Sequence, residues 1–202
     1  MIQNINEVKP LLKGMNWCQF YPFNALTPKF DYTNSKGTFN IHHLIGCGAL
    51  SVGQIIYYWG IKGYKRGYGK IDKMGIKQDA IDEFEYDNIK LEYLYSYGSK
   101  QYNGRPYHDE NRSLTKSEKS VAKLLICPHV GLGSNYRDED GVGRLTTAPV
   151  SNLKSFFKEM NFTPNYNSRA DLHFHETKIV EYLQKGVPSI VVVALDDGDL
   201  YN

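Results

Sequence analysis

The chain has 202 residues, with 24 Lys+Arg against 22 Asp+Glu and 41% hydrophobic residues, enough to bury a proper core in one domain. Its formal net charge of +2 removes the bulk electrostatic argument for nucleic acid or an anionic membrane, since both call for a clustered basic excess. No apolar run approaches the ~18 residues of a bilayer span, so neither nucleic acid nor membrane is expected as a partner.

The stretch from Met1 to Glu7 lacks the basic patch and apolar run of a secretory signal. Ile5, Val8, Leu11 and Leu12 form a short helical stripe over 5–13, ended by Gly14. From Trp17 to Asn40 the chain is aromatic, polar and broken by Pro22 and Pro28, which predicts an extended or looped segment. Periodicity returns after Gly46: Ala49, Val52, Ile56 and Trp59, joined by Leu50 and Ile55, make a wide apolar helical face. The helix begins at or beside Cys47.

Gly60 to Gly75, rich in Gly, Lys and Tyr, predicts a surface loop, as does Tyr95 to Ser113. Basic residues interleaved with tyrosines can stack single-stranded nucleic acid, but a solvated loop explains them as well. Thr115-Lys116-Ser117-Glu118 is a capping box, and Val121, Leu124 and Leu125 supply the buried face of the helix it opens. That helix is expected to stop before Pro128. A Gly-rich loop from Gly131 to Gly143 leads to a helix from about Pro149 to Met160, and another spans about Glu176 to Lys185, closed by Gly186 and Pro188. Ser189 to Leu195 predicts a buried strand. No repeat or linker divides the chain, so a single domain over 1–202 is expected.

Three cysteines, Cys18, Cys47 and Cys127, are too few for a disulfide framework, and no C-x-x-C pair suggests structural zinc. Cys127 ends the apolar run Leu124-Leu125-Ile126 and reads as a small buried residue. Cys47 differs. At the first turn of a buried helix, unpaired amides and the positive end of the helix dipole favour thiolate over thiol. Gly46 and Gly48 leave room for a substrate backbone on either side of the sulfur. Upstream, Gln19 can donate its side-chain amide to an oxyanion if its loop folds beside Cys47.

Taken together, these segments carry a resemblance. Trp17-x-Gln19-x-x-Pro22-Phe23-Asn24 with Pro28 beyond, then Gly46-Cys47-x-Ala49 with Gln54-Ile55-x-x-Tyr58-Trp59, resembles the catalytic half of the streptopain family of papain-like cysteine peptidases. Phe84-Glu85-Tyr86-Asp87-Asn88-Ile89 is similar to that family's aromatic-Asn segment. Val121 to Leu125, Gly131, Asn135-Tyr136 and Gly141-x-Gly143 resemble its helix and the glycine loop flanking the substrate. Val150-x-x-Leu153-Lys154-x-x-Phe157 and Ile179-x-x-Tyr182-Leu183-x-x-Gly186-x-Pro188 resemble its later helices and strand entry. The resemblance implies an α+β, papain-like fold: a helical half around the Cys47 helix plus the start of a β-sheet half. It implies a secreted bacterial thiol protease with no cofactor or metal. Cys47 would be the nucleophile and Gln19 the oxyanion-stabilising side chain. Gly46, Gly48, Asn135, Tyr136, Gly141, Val142 and Gly143 would line the substrate site. The implied partners are a polypeptide substrate or an inhibitory propeptide. Val142 and Arg144 depart from the small residues usual there, which alters the pocket.

One departure is larger. In that family a general-base histidine follows the strand entered at Gly186-x-Pro188, in a Gly-Gly-His-type turn. Here Asp196-Asp197-Gly198-Asp199-Leu200-Tyr201-Asn202 follows instead, and no histidine lies beyond His175. A thiolate without an adjacent imidazolium lacks both its counter-charge and the acid that protonates the leaving amine. The expectation is therefore a peptidase domain lacking its last portion and inactive as this chain stands, with the base lost to truncation or supplied by a complementing C-terminal fragment. The alternative is a non-catalytic pseudo-peptidase that keeps the cleft and binds. A lone 189–195 strand would also leave an exposed edge, favouring weak stability or association.

The remaining histidines offer little as substitutes. His42 and His43 precede Cys47 in a loop; His173-x-His175 would share one face of an extended segment; His108-Asp109-Glu110 offers mixed ligands with no complementary cluster. Asp196 to Asp199 mimics the start of a calcium loop but lacks the downstream bidentate Glu, so a turn is expected.

Overall fold

The computed structural model describes residues 9–34, 37–61, 89, 101–102, 105–106, 112–133, 135–136, 143–144, 150–159 and 172–190. They form a mixed α+β arrangement of helices and small two-stranded sheets. The chain divides into two compact units, Leu12–Asn165 and a unit that combines Met1–Leu11 with Tyr166–Asn202.

In the larger unit the segment expected to be extended or looped contains a hairpin. Strands β1 (Lys29–Asn34) and β2 (Gly37–His42) pair antiparallel, with Phe30 opposite Ile41 and Tyr32 opposite Phe39. Those four apolar residues are half-buried, while Lys29, Asp31, Thr33, Thr38 and Asn40 between them are exposed, the period of two that a sheet with one covered face requires. On the wet face Asn40 Nδ2 donates to Asp31 Oδ1 at 2.7 Å, and the Thr33 and Thr38 hydroxyls meet at 3.0 Å.

Helix α1 (Cys47–Ile61) follows the predicted pattern: Ala49, Val52, Ile56, Tyr57 and Tyr58 are buried, with Leu50, Ile55 and Trp59 half-buried at the margins. It packs on α2 (Lys116–Gly131), and the two approach closely where Gly53 faces Leu125. A Cβ on Gly53 would stand 2.4 Å from Leu125 Cδ2, so the absent side chain sets the distance between the helices.

The capping box of α2 is present as expected. Thr115 Oγ1 accepts from the Glu118 amide at 3.2 Å, and the Thr115 amide donates to Glu118 Oε2 at 2.8 Å. Arg112 grips both oxygens of the same carboxylate at 3.0 and 2.6 Å. Burial pushes the Glu118 carboxyl up, but the bonds from Arg112 and Thr115 together hold it below the usual glutamate value. Glu118 therefore contributes stability above its ordinary pKa, and that contribution is lost as pH falls through the lowered value.

Contrary to expectation, α2 does not stop before Pro128 but continues to Gly131. The proline forfeits only its own bond to the preceding turn. Beyond it the Leu132 amide donates to the Pro128 carbonyl at 2.9 Å, and Cys127, Pro128, His129 and Val130 are all buried. Packing of this last turn outweighs the lost bond. The C-terminal half of α2, Leu124 to Val130, is thus buried on every face.

Between α1 and α2 in the chain comes the short ladder β3 (Gln101–Tyr102) with β4 (Arg105–Pro106), inside the expected loop, and after α2 comes β5 (Asn135–Tyr136) with β6 (Gly143–Arg144), in the region of the predicted Gly-rich loop. Helix α3 (Val150–Glu159) lies within the predicted 149–160 span and buries Phe156 and Phe157, the Phe156 ring covering Gly131 of α2.

In the smaller unit, helix α4 (Leu172–Gln184) starts about a turn before the predicted position. It ends as predicted at Gly186, where the Gly186 amide reaches the Leu183 carbonyl at 2.9 Å and the Val187 amide reaches Tyr182 at 2.8 Å, a Schellman closure. Leu11 to Gly14 form a turn, which corrects the helix end expected there, and Ser189 and Ile190 are in no assigned element. The rest of the predicted strand, 191–195, lies outside the described residues, as do 1–8, 62–75 of the predicted loop and the 196–199 turn.

Candidate active site

Cys47 is the first residue of α1 and is exposed. Gly46 is its cap: the Gly46 carbonyl accepts the Leu50 amide at 3.0 Å, while its own φ of +85° is a conformation L side chains rarely adopt. The sulfur-bearing residue thus sits at the positive end of a 15-residue helix whose first turn carries no acidic side chain.

Gln19 is brought to the same place through the backbone. The Ile45 amide donates to the Gln19 carbonyl at 3.2 Å, two residues before Cys47. The Gln19 segment is pinned on both sides. Trp17 is buried between Phe23 and Tyr57 of α1, with ring centroids 6.3 and 5.3 Å away. Tyr21, buried, donates its hydroxyl to the Arg112 carbonyl at 2.7 Å and lies under the Arg112 guanidinium. Cys18, half-buried, accepts the Phe20 amide at Sγ, and buried Cys127 donates Sγ–H to the Lys123 carbonyl, both at 3.4 Å.

The turn that enters α1 is held from below. Asn24 Nδ2 donates to the carbonyls of His42 and His43 at 3.3 and 3.0 Å, and Thr27 Oγ1 donates to the His43 carbonyl at 2.6 Å. Asn24 Oδ1 is buried without a hydrogen-bond partner. His129, wholly buried on α2, reaches the Ile45 carbonyl with Nδ1 at 2.6 Å. Burial, reinforced by the neighbouring His43 and only partly offset by the Ile45 bond, pushes the His129 imidazole down to about 4.

The histidines nearest Cys47 in sequence are engaged elsewhere. His42 Nδ1 pairs with the Thr27 carbonyl at 2.5 Å, and burial, aided by Lys29 and His43, lowers its pKa. The buried His43 ring stacks on Phe30 at 4.4 Å. His173 and His175 lie in α4 rather than in an extended segment. His108 lies outside the described residues.

Of the residues singled out in the sequence, the Gln19 backbone is bonded to Ile45, next to Gly46 and Cys47 in the chain, and Gly48 is half-buried in the first turn of α1. Asn135, Tyr136 and Gly143 belong to the β5–β6 ladder, where Tyr136 pairs with Gly143; Gly141 and Val142 lie outside the described residues. His129 was not singled out. Its signal was legible: it is the one basic side chain in Leu124-Leu125-Ile126-Cys127-Pro128-His129-Val130. Among the described residues no cluster of three or more His, Cys, Asp or Glu stands at metal-binding distance, and no helix is long and apolar enough to cross a membrane. Comparison with protein-family models, with curated proteins and with solved structures returns no match.

Proposed function

We propose that this chain is a papain-like, streptopain-type cysteine peptidase domain in which Cys47 is the nucleophile. The thiolate attacks a peptide carbonyl, the carbonyl π pair becomes an oxyanion that the Gln19 amide stabilises, and collapse breaks the C–N bond, the amine leaving with a proton taken from water or from a complementing acid, to give a thioester that water hydrolyses. The observation that supports this reading best is the Ile45 amide to Gln19 carbonyl bond of 3.2 Å, which ties the oxyanion candidate to the entry of the helix bearing an exposed Cys47. The β5–β6 loop with Asn135, Tyr136, Gly141, Val142 and Gly143 would flank the substrate; secretion and a polypeptide or propeptide ligand follow from the same resemblance.

A second reading has its own support. His42, His43 and His129 are committed to Thr27, Phe30 and Ile45, an arrangement that suits a pseudo-peptidase which binds peptide without cleaving it. Hydrolysis of an unfolded protein at neutral pH separates the two. The peptidase reading expects Cys47→Ala to abolish turnover and Gln19→Ala to lower kcat by about 10²–10³ with KM little changed, the usual weight of an oxyanion donor. Turnover that survives Cys47→Ala refutes it, and saturable peptide binding without capture of a peptidyl electrophile by Cys47 supports the binding protein.

A further inference from the structure

We infer that His129 is a positioning residue for Cys47, donating Nδ1–H to the Ile45 carbonyl and so fixing the turn from which α1 starts. The inference rests on the reading of Cys47 as the reactive group. A carbonyl oxygen only accepts, so a 2.6 Å contact with an imidazole nitrogen requires the proton on Nδ1. His129 has no exposed surface and Ile45 has none either, so water cannot replace this bond.

The bond acts at a sensitive place. The Ile45 peptide is held at both ends, its amide by the Gln19 carbonyl and its carbonyl by His129. The next residue is Gly46, in a conformation few residues adopt, and the next is Cys47. Around the imidazole the turn presents His43, itself buried against Phe30, with Asn24 and Thr27 holding the His43 carbonyl. Nothing in this set duplicates the bond to Ile45. Without it the cap at Gly46 is free to rotate, and with it the first-turn amides and the angle at which Cys47 is offered.

Two substitutions divide donor from bulk. His129→Asn keeps an N–H donor close to the place of Nδ1, whereas His129→Leu keeps apolar volume and removes the donor. The readout is the alkylation rate of Cys47 by iodoacetamide at neutral pH, resolved by peptide mass spectrometry and normalised to glutathione in the same tube. The expected result is a roughly three- to tenfold fall in His129→Leu, the size of a helix-terminus contribution, with recovery in His129→Asn. A folded His129→Leu that alkylates at the native rate overturns the proposal. Nitrogen NMR of the unmodified protein decides independently of whether the leucine variant folds: the Nδ1–H tautomer of His129 is expected, and the Nε2–H tautomer overturns the proposal. Because alkylation needs no turnover, these results stand or fall separately from the peptidase reading, which is refuted by turnover that survives Cys47→Ala.

Discussion

Replacement of His129 by alanine is expected to destabilise the larger unit by about 4 kcal/mol, combining the cavity left by a fully buried ring with a carbonyl stripped of its donor. Against a total of about 5–15 kcal/mol for a typical domain, that is a large share. The ring sits where α2 meets the turn before α1, so both helices depend on it. The same residue gives the native protein an acid limit. His129 is held neutral down to about 4 in the folded state, while in the unfolded chain it titrates near the ordinary histidine value of about 6.5. A depressed folded value means the unfolded state binds the proton first. The contribution is present above about 6.5 and is lost as pH falls toward 4, amounting to about 3 kcal/mol in all. Urea unfolding at neutral and mildly acid pH measures both effects. The native protein should lose stability across that interval, and a His129→Leu protein should lose distinctly less of it.

The second large effect is expected at the seam between α1 and α2. Leu125 is fully buried and lies against Gly53, so Leu125→Ala should cost about 2–5 kcal/mol. Gly53→Val errs in the opposite direction. Its Cβ falls 2.4 Å from Leu125 Cδ2 and 3.6 Å from Cγ, and the added branches have nowhere to go; about 1–3 kcal/mol of overpacking is expected. The two faults are complementary in shape. In the double variant Gly53→Val/Leu125→Ala the loss should be smaller than the two separate losses added, by roughly 1 kcal/mol or more of coupling. Thermal or urea unfolding of the four proteins checks this, and simple additivity would contradict close contact at the seam.

Where local rules and tertiary packing agree, the elements were readable from the residues. The Thr115–Glu118 box, the apolar face of 49–59 and the glycine stop at 186 each follow from short-range chemistry that the fold leaves undisturbed. The extended character of 17–40 is legible but its pairing as a hairpin is less so: Pro22 and Pro28 signal breaks, while only Phe30-x-Tyr32 and Phe39-x-Ile41 alternate. Pro128 misled: the local rule against proline is real, but a buried last turn overrides it. At the site, Cys47 with its glycines was visible as a helix start. The joining of Gln19 to Ile45 was only an if, because a backbone bond between distant loops leaves no periodic trace. His129 was hidden further, since its role depends on an acceptor 84 positions away.

The account depends on Cys47 behaving as a reactive nucleophile beside Gln19. A limiting amount of a peptidyl electrophile at about pH 6, where ordinary thiols are almost wholly protonated, tests this directly when the modified cysteine is located by mass spectrometry. Labelling concentrated on Cys47, sparing Cys18 and Cys127 and slowed by Gln19→Ala, is the result expected. Equal and slow labelling of all three thiols, indifferent to Gln19, would contradict it.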